Sequence, residues 1–572
     1  MQDHLTFLYG RERGRQCYTE LETILAQFRQ RNPNKLDAAR PFGPADSILI
    51  TYGDQVREPG RSPLQSLVQL LGRQIKGTIT GVHILPFFPY SSDDGFSVID
   101  YTQVDPALGS WDDVAQLDDG FVLMFDAVLN HISAQSEWFQ RFLADDPAYA
   151  NYFTTVDPVA PTEWVSQVTR PRARPLLTPV QTPSGQKLVW TTFSPDQIDL
   201  NYAEPAVLLR MIEILLLYVE RGATLIRLDA IAYLWKIFGT NCIHLEETHR
   251  VVRLFRAVLD AVAPGVKIIT ETNVPHAENI SYFGNGTNEA QMVYQFPLAP
   301  LIFNAIQTGR ASHLSQWAAG LSLPSDQTTF FNFTASHDGI GLMPARGILS
   351  EAEIQDLVDQ TLAHGGQVSY KTNPDGSQSV YELNISYFDA LSDPKTDETQ
   401  GTQVARFMLS QTIMLALVGV PGIYIHSLFG SRSWREGMAQ TGRNRTINRQ
   451  KFQRVELETE LADPDSIRHQ VFHAYTHLLR QRAAHSAFHP HGRQRVILNN
   501  EALFILLRTA PDGRNKVLCI HNLSGREQPC HLQVDDLAGP LVDLLSGQSF
   551  LAADKLTLTL RPYQALWLTR QE

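Results

Sequence analysis

The chain has 572 residues and a formal charge of −12, with 43% hydrophobic and 19% charged residues. This length can bury a large core and accommodate a barrel with additions, and the ordinary balance of apolar and charged residues leaves no need for extensive disorder. The negative charge argues against nucleic acid as a partner, because that binding rests on neutralising phosphates with Lys and Arg, so small molecules are the expected ligands.

In chain order, Met1 to Gly10 lacks the basic segment and apolar run of a signal peptide, which predicts a cytoplasmic protein. Eight short β-rich runs follow, at 47–51, 81–85, 122–125, 224–227, 267–270, 292–295, 330–333 and 422–425. Helical patterns separate several of them, such as Leu208 to Arg221 ending at Gly222, as expected of parallel strands joined by crossover helices. The predicted fold class is α/β, a (β/α)8 TIM barrel. The Pro-containing gap after the third strand is too long for a simple crossover and reads as an inserted subdomain. The apolar run Gln411 to Val420 reads as a buried helix, too short to span a bilayer, so no membrane partner is expected. From about Gly492 the pattern becomes all-β, with runs at 495–498, 502–507, 516–520 and 555–560. The predicted parts are 1–131 and 204–490 for the barrel, 132–203 for the inserted B domain and 491–572 for the C-terminal β domain. The four cysteines, Cys17, Cys242, Cys519 and Cys530, lack metal-ligand spacing. Cys519 and Cys530 could pair in an oxidising compartment; a reducing cytoplasm leaves them free.

Barrels place their chemistry at the C-terminal ends of strands. There the sequence puts Asp93-Asp94-Gly95-Phe96, Asp126 to His131, Arg227-Leu228-Asp229, Glu271 with Thr272-Asn273, and Ser336-His337-Asp338. A strand-end Asp is often only a cap or turn former, but five such segments in strand order form a constellation. Converging, Asp229, Glu271 and Asp338 could break a glycosidic bond: one carboxylate attacks the anomeric carbon and a protonated carboxyl delivers a proton to the leaving oxygen. Arg227, two residues before Asp229, shares its side of a strand and can keep it ionised. Asn279-Ile280-Ser281 and Asn384-Ile385-Ser386 fit glycosylation sequons but read as ordinary sequence without a secretory signal. Tyr233, Trp235, Tyr563 and Trp567 read as core or sheet residues.

The five segments resemble the signature regions of the α-amylase superfamily, glycoside hydrolase family 13. The resemblance makes Asp229 the nucleophile, Glu271 the acid/base and Asp338 the transition-state stabiliser, with His131, His337 and Arg227 as substrate contacts. Pro86-Phe87-Phe88-Pro89 with Asp93 to Phe96, Trp190 to Asp199, and Asn444 to Arg449 look like the sucrose phosphorylase subfamily. That likeness adds Asp93, Phe96, Phe193, Gln197 and Arg445 to the substrate-binding set. It implies phosphorolysis: inorganic phosphate, as cosubstrate, attacks a glucosyl-Asp229 intermediate to give α-glucose 1-phosphate with retention. Arg445 and Arg346 are candidate phosphate ligands, with His364 and Gln367 behind them. Ile231 to Lys236, Thr240-Asn241-Cys242, Thr248-His249-Arg250 and the stretch Asn373-Pro374-Asp375-Gly376 to Asn384 look more like glucosylglycerate and glucosylglycerol phosphorylases. The acceptor, whether fructose, fructose 6-phosphate, glycerate or glycerol, stays open. No cofactor or metal is expected, even beside Asn130, where some amylase relatives bind calcium; the expected state is monomer or homodimer. A hydrolase or transglucosidase of the same family, or a non-catalytic sugar-binding relative, is the alternative.

Overall fold

Runs of Ile, Val, Leu and Phe with no polar face can form strands only where both sides are covered. In the computed structural model, which describes residues 1–572 except 37–39, 173, 374–376, 534–536, 553 and 572, these runs become a closed barrel of eight parallel strands. They are β1 (Ile48–Thr51), β2 (Gly81–Ile84), β3 (Val122–Val128), β4 (Ala223–Asp229), β5 (Lys267–Thr270), β6 (Met292–Tyr294), β7 (Thr329–Asn332) and β8 (Val420–Tyr424). Each pairs with its sequence neighbour, and β1 closes the ring against β8. The predicted strands and the barrel are therefore observed. The register sets Arg227 of β4 opposite Asp126 of β3.

The run Gln411 to Val420 is helical only in part. The helix Gln400–Ala416 stops four residues earlier, and Val420 already belongs to β8. Gly419 makes the break, with φ +138; a Cβ there would lie 2.6 Å from Asn332 Nδ2, which donates to Val418 O at 3.0 Å. The crossover before β4 runs Pro205–Glu220, and Gly222 takes φ +103. The sequence reading did not pick out the helices Gln2–Tyr9 and Arg11–Arg31. The second buries Cys17, Leu21, Leu25 and Phe28, spaced as one helical face.

After β3 the chain leaves the barrel. His131–Ser133 pairs antiparallel with Gln197–Asp199, and between them Thr155–Val156, Leu177–Thr182 and Gly185–Trp190 form a small antiparallel sheet. A hairpin, Gln367–Thr372 with Gln378–Asn384, pairs through its second strand with Ile340–Gly341, just after Asp338; residues 374–376 of the Asn373 to Asn384 stretch lie outside the described residues. Asn279 and Asn384, the two sequon residues, are buried.

The C-terminal segment forms a six-stranded antiparallel sheet and a pair, Gln528–Gln533 with Lys555–Leu560. Its first strand is Arg493–Val496, two residues before the predicted run. Alternation along Leu503–Thr509 explains its burial on both faces. Leu503, Ile505 and Leu507 pack toward the pair, while Phe504 and Leu506 join the barrel's core. Cys519 lies in the barrel-side cluster and Cys530 in the other, and all four cysteines are free thiols. Among the described residues, no helix is long and apolar enough to cross a membrane.

Candidate active site

Alternation along β4 sends Arg227 and Asp229 to the same side, into the barrel. Arg227 Nη1 donates to Asp229 Oδ1 at 2.9 Å and also pairs with Asp126, while its Nη2 lies 3.9 Å from Glu271 Oε2. Asp126 in turn accepts from His83 Nε2 at 2.6 Å. The carboxyl of Asp126 is held down at about 2: burial opposes this, but the Arg227 and His83 charges outweigh it. Glu271 follows β5 directly, and its Oε2 accepts from the amide of Ala230 at 3.1 Å. Ala230 sits in the left-handed region at φ +48, a strained conformation for alanine that aims this amide at Glu271.

Burial raises the carboxyl of Asp229 well above its ordinary range and raises Glu271 as well, against the pull of Arg227 on both. Burial thus weighs more heavily on Asp229, whereas the closer guanidinium contact favours charge there. The geometry favours the anion on Asp229, 2.9 Å from the guanidinium, over Glu271, 3.9 Å from it. Asp338 behaves oppositely. Despite its burial, the guanidiniums of Arg445, Arg449 and Arg227 hold it well below the usual carboxylate range. Arg445 pairs with Asp338 through Nη1 and grips Glu382 through Nε and Nη2 at 3.0 and 2.7 Å.

Around these acids the cavity is walled by Asp93, Phe96, His131, Phe193, Gln197, His337 and Arg445, together with the three carboxylates. Phe96 stacks on His337, ring centroids 4.8 Å apart at 4°, and Arg227 lies 5.7 Å over the Phe96 ring. Burial pulls the His337 imidazole down to about 3, so it is neutral. His131 donates from Nε2 to Phe96 O at 2.8 Å, and Gln197 Nε2 donates to the same carbonyl at 3.2 Å. The loop bearing Asp93 is tied to the inserted domain by Asp196, whose Oδ2 accepts from Ser91 and Ser97 at 2.6 and 2.8 Å. Asp93 and Asp94 both take positive φ, 54 and 50, which turns Asp93 toward Arg172 (3.6 Å) and pairs Asp94 with Arg449.

Every residue of the predicted set except Arg227 and Arg346 lines this cavity, and Arg227 lies directly beneath it. Arg346 is not brought there: it pairs with Glu351 at the start of the helix Glu351–Ala363. His364 bonds through Nδ1 to Asp389 O, and Gln367 is exposed on the hairpin. Tyr233, read as a core residue, lines the cavity instead, while Trp235 and Trp567 are buried. Sequence reasoning missed Arg172, Asn273, Tyr381, Glu382 and Arg449. Arg449 lies inside the quoted Asn444 to Arg449 motif, and Arg172 in the Pro-rich insertion; Tyr381 and Glu382 fall in a segment noted only for its resemblance.

The position where a calcium ion could sit beside Asn130 holds an ammonium. Lys236 Nζ donates to Asn130 Oδ1 at 2.8 Å and lies 2.9 Å from Asp199 Oδ2. Asp199, the carboxylate beside it, is already paired with this ammonium, so the donor set does not suit a hard cation. Among the described residues, no other group of His, Cys, Asp and Glu could hold a metal.

Comparison with known proteins agrees with this architecture. The family described as "Alpha amylase, catalytic domain" matches residues 74–338. The chain is 52% identical to the glucosylglycerate phosphorylase of Allomeiothermus silvanus over 99% of this chain and 97% of that one. It is 45% identical to that of Escherichia coli over 96% and 95%, and 32% identical to the sucrose phosphorylase of Agrobacterium vitis over 77% and 88%. The solved sucrose 6F-phosphate phosphorylase of Thermoanaerobacter thermosaccharolyticum superposes with a TM-score of 0.73 at 23% identity, covering 84% of this chain and 94% of that one. Identity of about half along nearly the whole length, on a barrel of this form, leaves one assignment: the chain belongs to the α-amylase family, glycoside hydrolase family 13, among the relatives of sucrose phosphorylase.

Proposed function

We propose that the protein is a retaining glucosylglycerate phosphorylase, cytoplasmic and without cofactor, a monomer or homodimer that transfers glucose from glucosylglycerate to inorganic phosphate. The observation that carries this reading is the 52% identity over 99% of the chain with a glucosylglycerate phosphorylase, joined to a cavity in which Asp229, Glu271 and Asp338 converge.

Asp229, ionised by its contact with Arg227, attacks the anomeric carbon as Glu271 passes its proton to the glycosidic oxygen, and glycerate leaves. Phosphate then attacks the glucosyl-Asp229 ester while Glu271 takes up the proton of the incoming oxygen, restoring Asp229 and giving α-glucose 1-phosphate. Asp338, kept anionic by Arg445, stands beside the developing positive charge of the sugar. Asp93, His131, His337 and Gln197 are the donor-site hydrogen-bonding groups, and Phe96 and Phe193 are its aromatic walls. Among the described residues, Asn273 Oδ1 and His337 Nδ1 are buried without protein partners, as befits atoms whose partners are substrate hydroxyls. Arg172 lines the cavity with only a 3.6 Å approach to Asp93, which leaves it available to phosphate.

The test is release of glucose 1-phosphate from glucosylglycerate, glucosylglycerol, sucrose and sucrose 6′-phosphate, each with and without phosphate. Phosphate-dependent product with glucosylglycerate preferred is expected, and Asp229→Asn should abolish it in a folded protein. Free glucose released at the same rate without phosphate would make the enzyme a hydrolase.

A further inference from the structure

The inner cavity adjoins a second, outer chamber with which it shares seven lining residues, among them Asp93, Arg172, Glu382 and Arg445. Among the described residues, the outer wall carries five arginines against two carboxylates, Asp93 and Glu382. Two of these arginines are committed inward: Arg445 to Glu382 and Asp338, Arg449 to Asp94 and Asp93. Arg172 faces Asp93. Arg174 and Arg443 differ, being exposed and, among the described residues, without a carboxylate partner. Arg443 is set there by Gly442, whose φ of +65 ends the helix Arg435–Thr441 so that Arg443 continues extended at φ −112 and ψ 121.

A protein of charge −12 whose inner cavity is lined by five acidic side chains, Asp93, Asp229, Glu271, Asp338 and Glu382, repels anions. Resting on the functional reading above, both acceptors that enter this chamber, glycerate and phosphate, are nevertheless anions. We propose that Arg174 and Arg443 form an oxyanion site at the outer chamber and hold the charged end of the acceptor that occupies it. Their planar guanidinium forks match a carboxylate or a phosphate, and having no internal counter-charge they lose no ion pair on binding either. Neutral acceptors gain nothing from them.

In a double-displacement scheme, kcat/KM for an acceptor reports only its own attack on the glucosyl-enzyme. Three acceptors are compared in the full-length enzyme: glycerate and glycerol with saturating α-glucose 1-phosphate, and phosphate with saturating glucosylglycerate. In the variant Arg174→Gln/Arg443→Gln, kcat/KM should fall about fivefold or more for at least one anion, through KM, while the value for glycerol changes less than about twofold. The double Lys variant should recover most of the loss. Loss toward glycerate alone assigns the site to the carboxylate, loss toward phosphate alone to phosphate, and loss toward both to their shared chemistry. An equal loss toward glycerol, or no loss toward either anion, overturns the proposal. Wild-type enzyme that makes no glucose 1-phosphate from glucosylglycerate overturns the functional reading and the site with it. Wild-type turnover with an unchanged anion-to-glycerol ratio in the variants overturns the site alone.

Discussion

At the scale of single residues, the geometry favours one proton among three neighbouring carboxyls. Arginines beside Asp338 favour its anion, burial raises both Asp229 and Glu271, and the 2.9 Å contact with Arg227 favours the anion on Asp229 over Glu271, whose nearest guanidinium nitrogen stands 3.9 Å off. The sign of the pH dependence follows. In the proposed mechanism Glu271 acts as an acid in its protonated form, so kcat/KM toward the glucoside should fall as pH rises through its elevated pKa. The variant Glu271→Gln should lose about 10²- to 10⁴-fold in kcat/KM and show no such alkaline limb. A pH–rate profile of both proteins measures this; a Gln variant that retains the limb would move the acid to another group.

At the scale of elements, one buried ammonium joins three of them. Lys236, in the loop after β4, links Asn130 at the end of β3 to Asp199 in the inserted domain, and Asp199 pairs in register with His131. Its side chain is 4% exposed, so its charge is balanced inside the protein rather than by solvent. Removing it by Lys236→Met strands the Asp199 carboxylate, and loss of one partner of a buried pair costs about 3–5 kcal/mol. Thermal unfolding should show that loss, with part of it regained in Lys236→Met/Asp199→Asn. An unchanged melting temperature in the single variant would remove the link. The barrel strands were readable because being covered on both faces demands uninterrupted apolar runs, and the acids because their positions repeat at strand ends. Lys236 was not readable as a bridge, since its partners stand 106 and 37 positions earlier in the chain. Arg346 was misplaced for the opposite reason: its loop follows β7 and Asp338, which suggested the cavity, yet its partner Glu351 is a local helix-end acid five residues on.

At the scale of the whole molecule, the C-terminal sheet is anchored to the end of the barrel opposite the site. Arg508, in the strand Leu503–Thr509, is fully buried and donates to Ala416 O at 2.7 Å and His489 O at 2.9 Å. Arg482 donates to Leu415 O and Gly419 O at 3.2 and 2.9 Å and to Asp46 O at 3.2 Å. Except for His489 O, these carbonyls lie just before β8 and β1, so the two guanidiniums satisfy backbone acceptors where the barrel closes, while Phe504, Leu506 and Trp567 extend its core. Arg508→Met keeps the apolar stem but leaves two buried carbonyls without donors, at about 1–3 kcal/mol each. The variant should therefore melt at a lower temperature, yet below that temperature its kcat/KM should stay within about twofold of wild type, because sites far apart without shared partners act independently. A loss of activity in the folded variant would show that the sheet reaches the catalytic end of the barrel, whereas unaltered stability would show that the carbonyls find other donors.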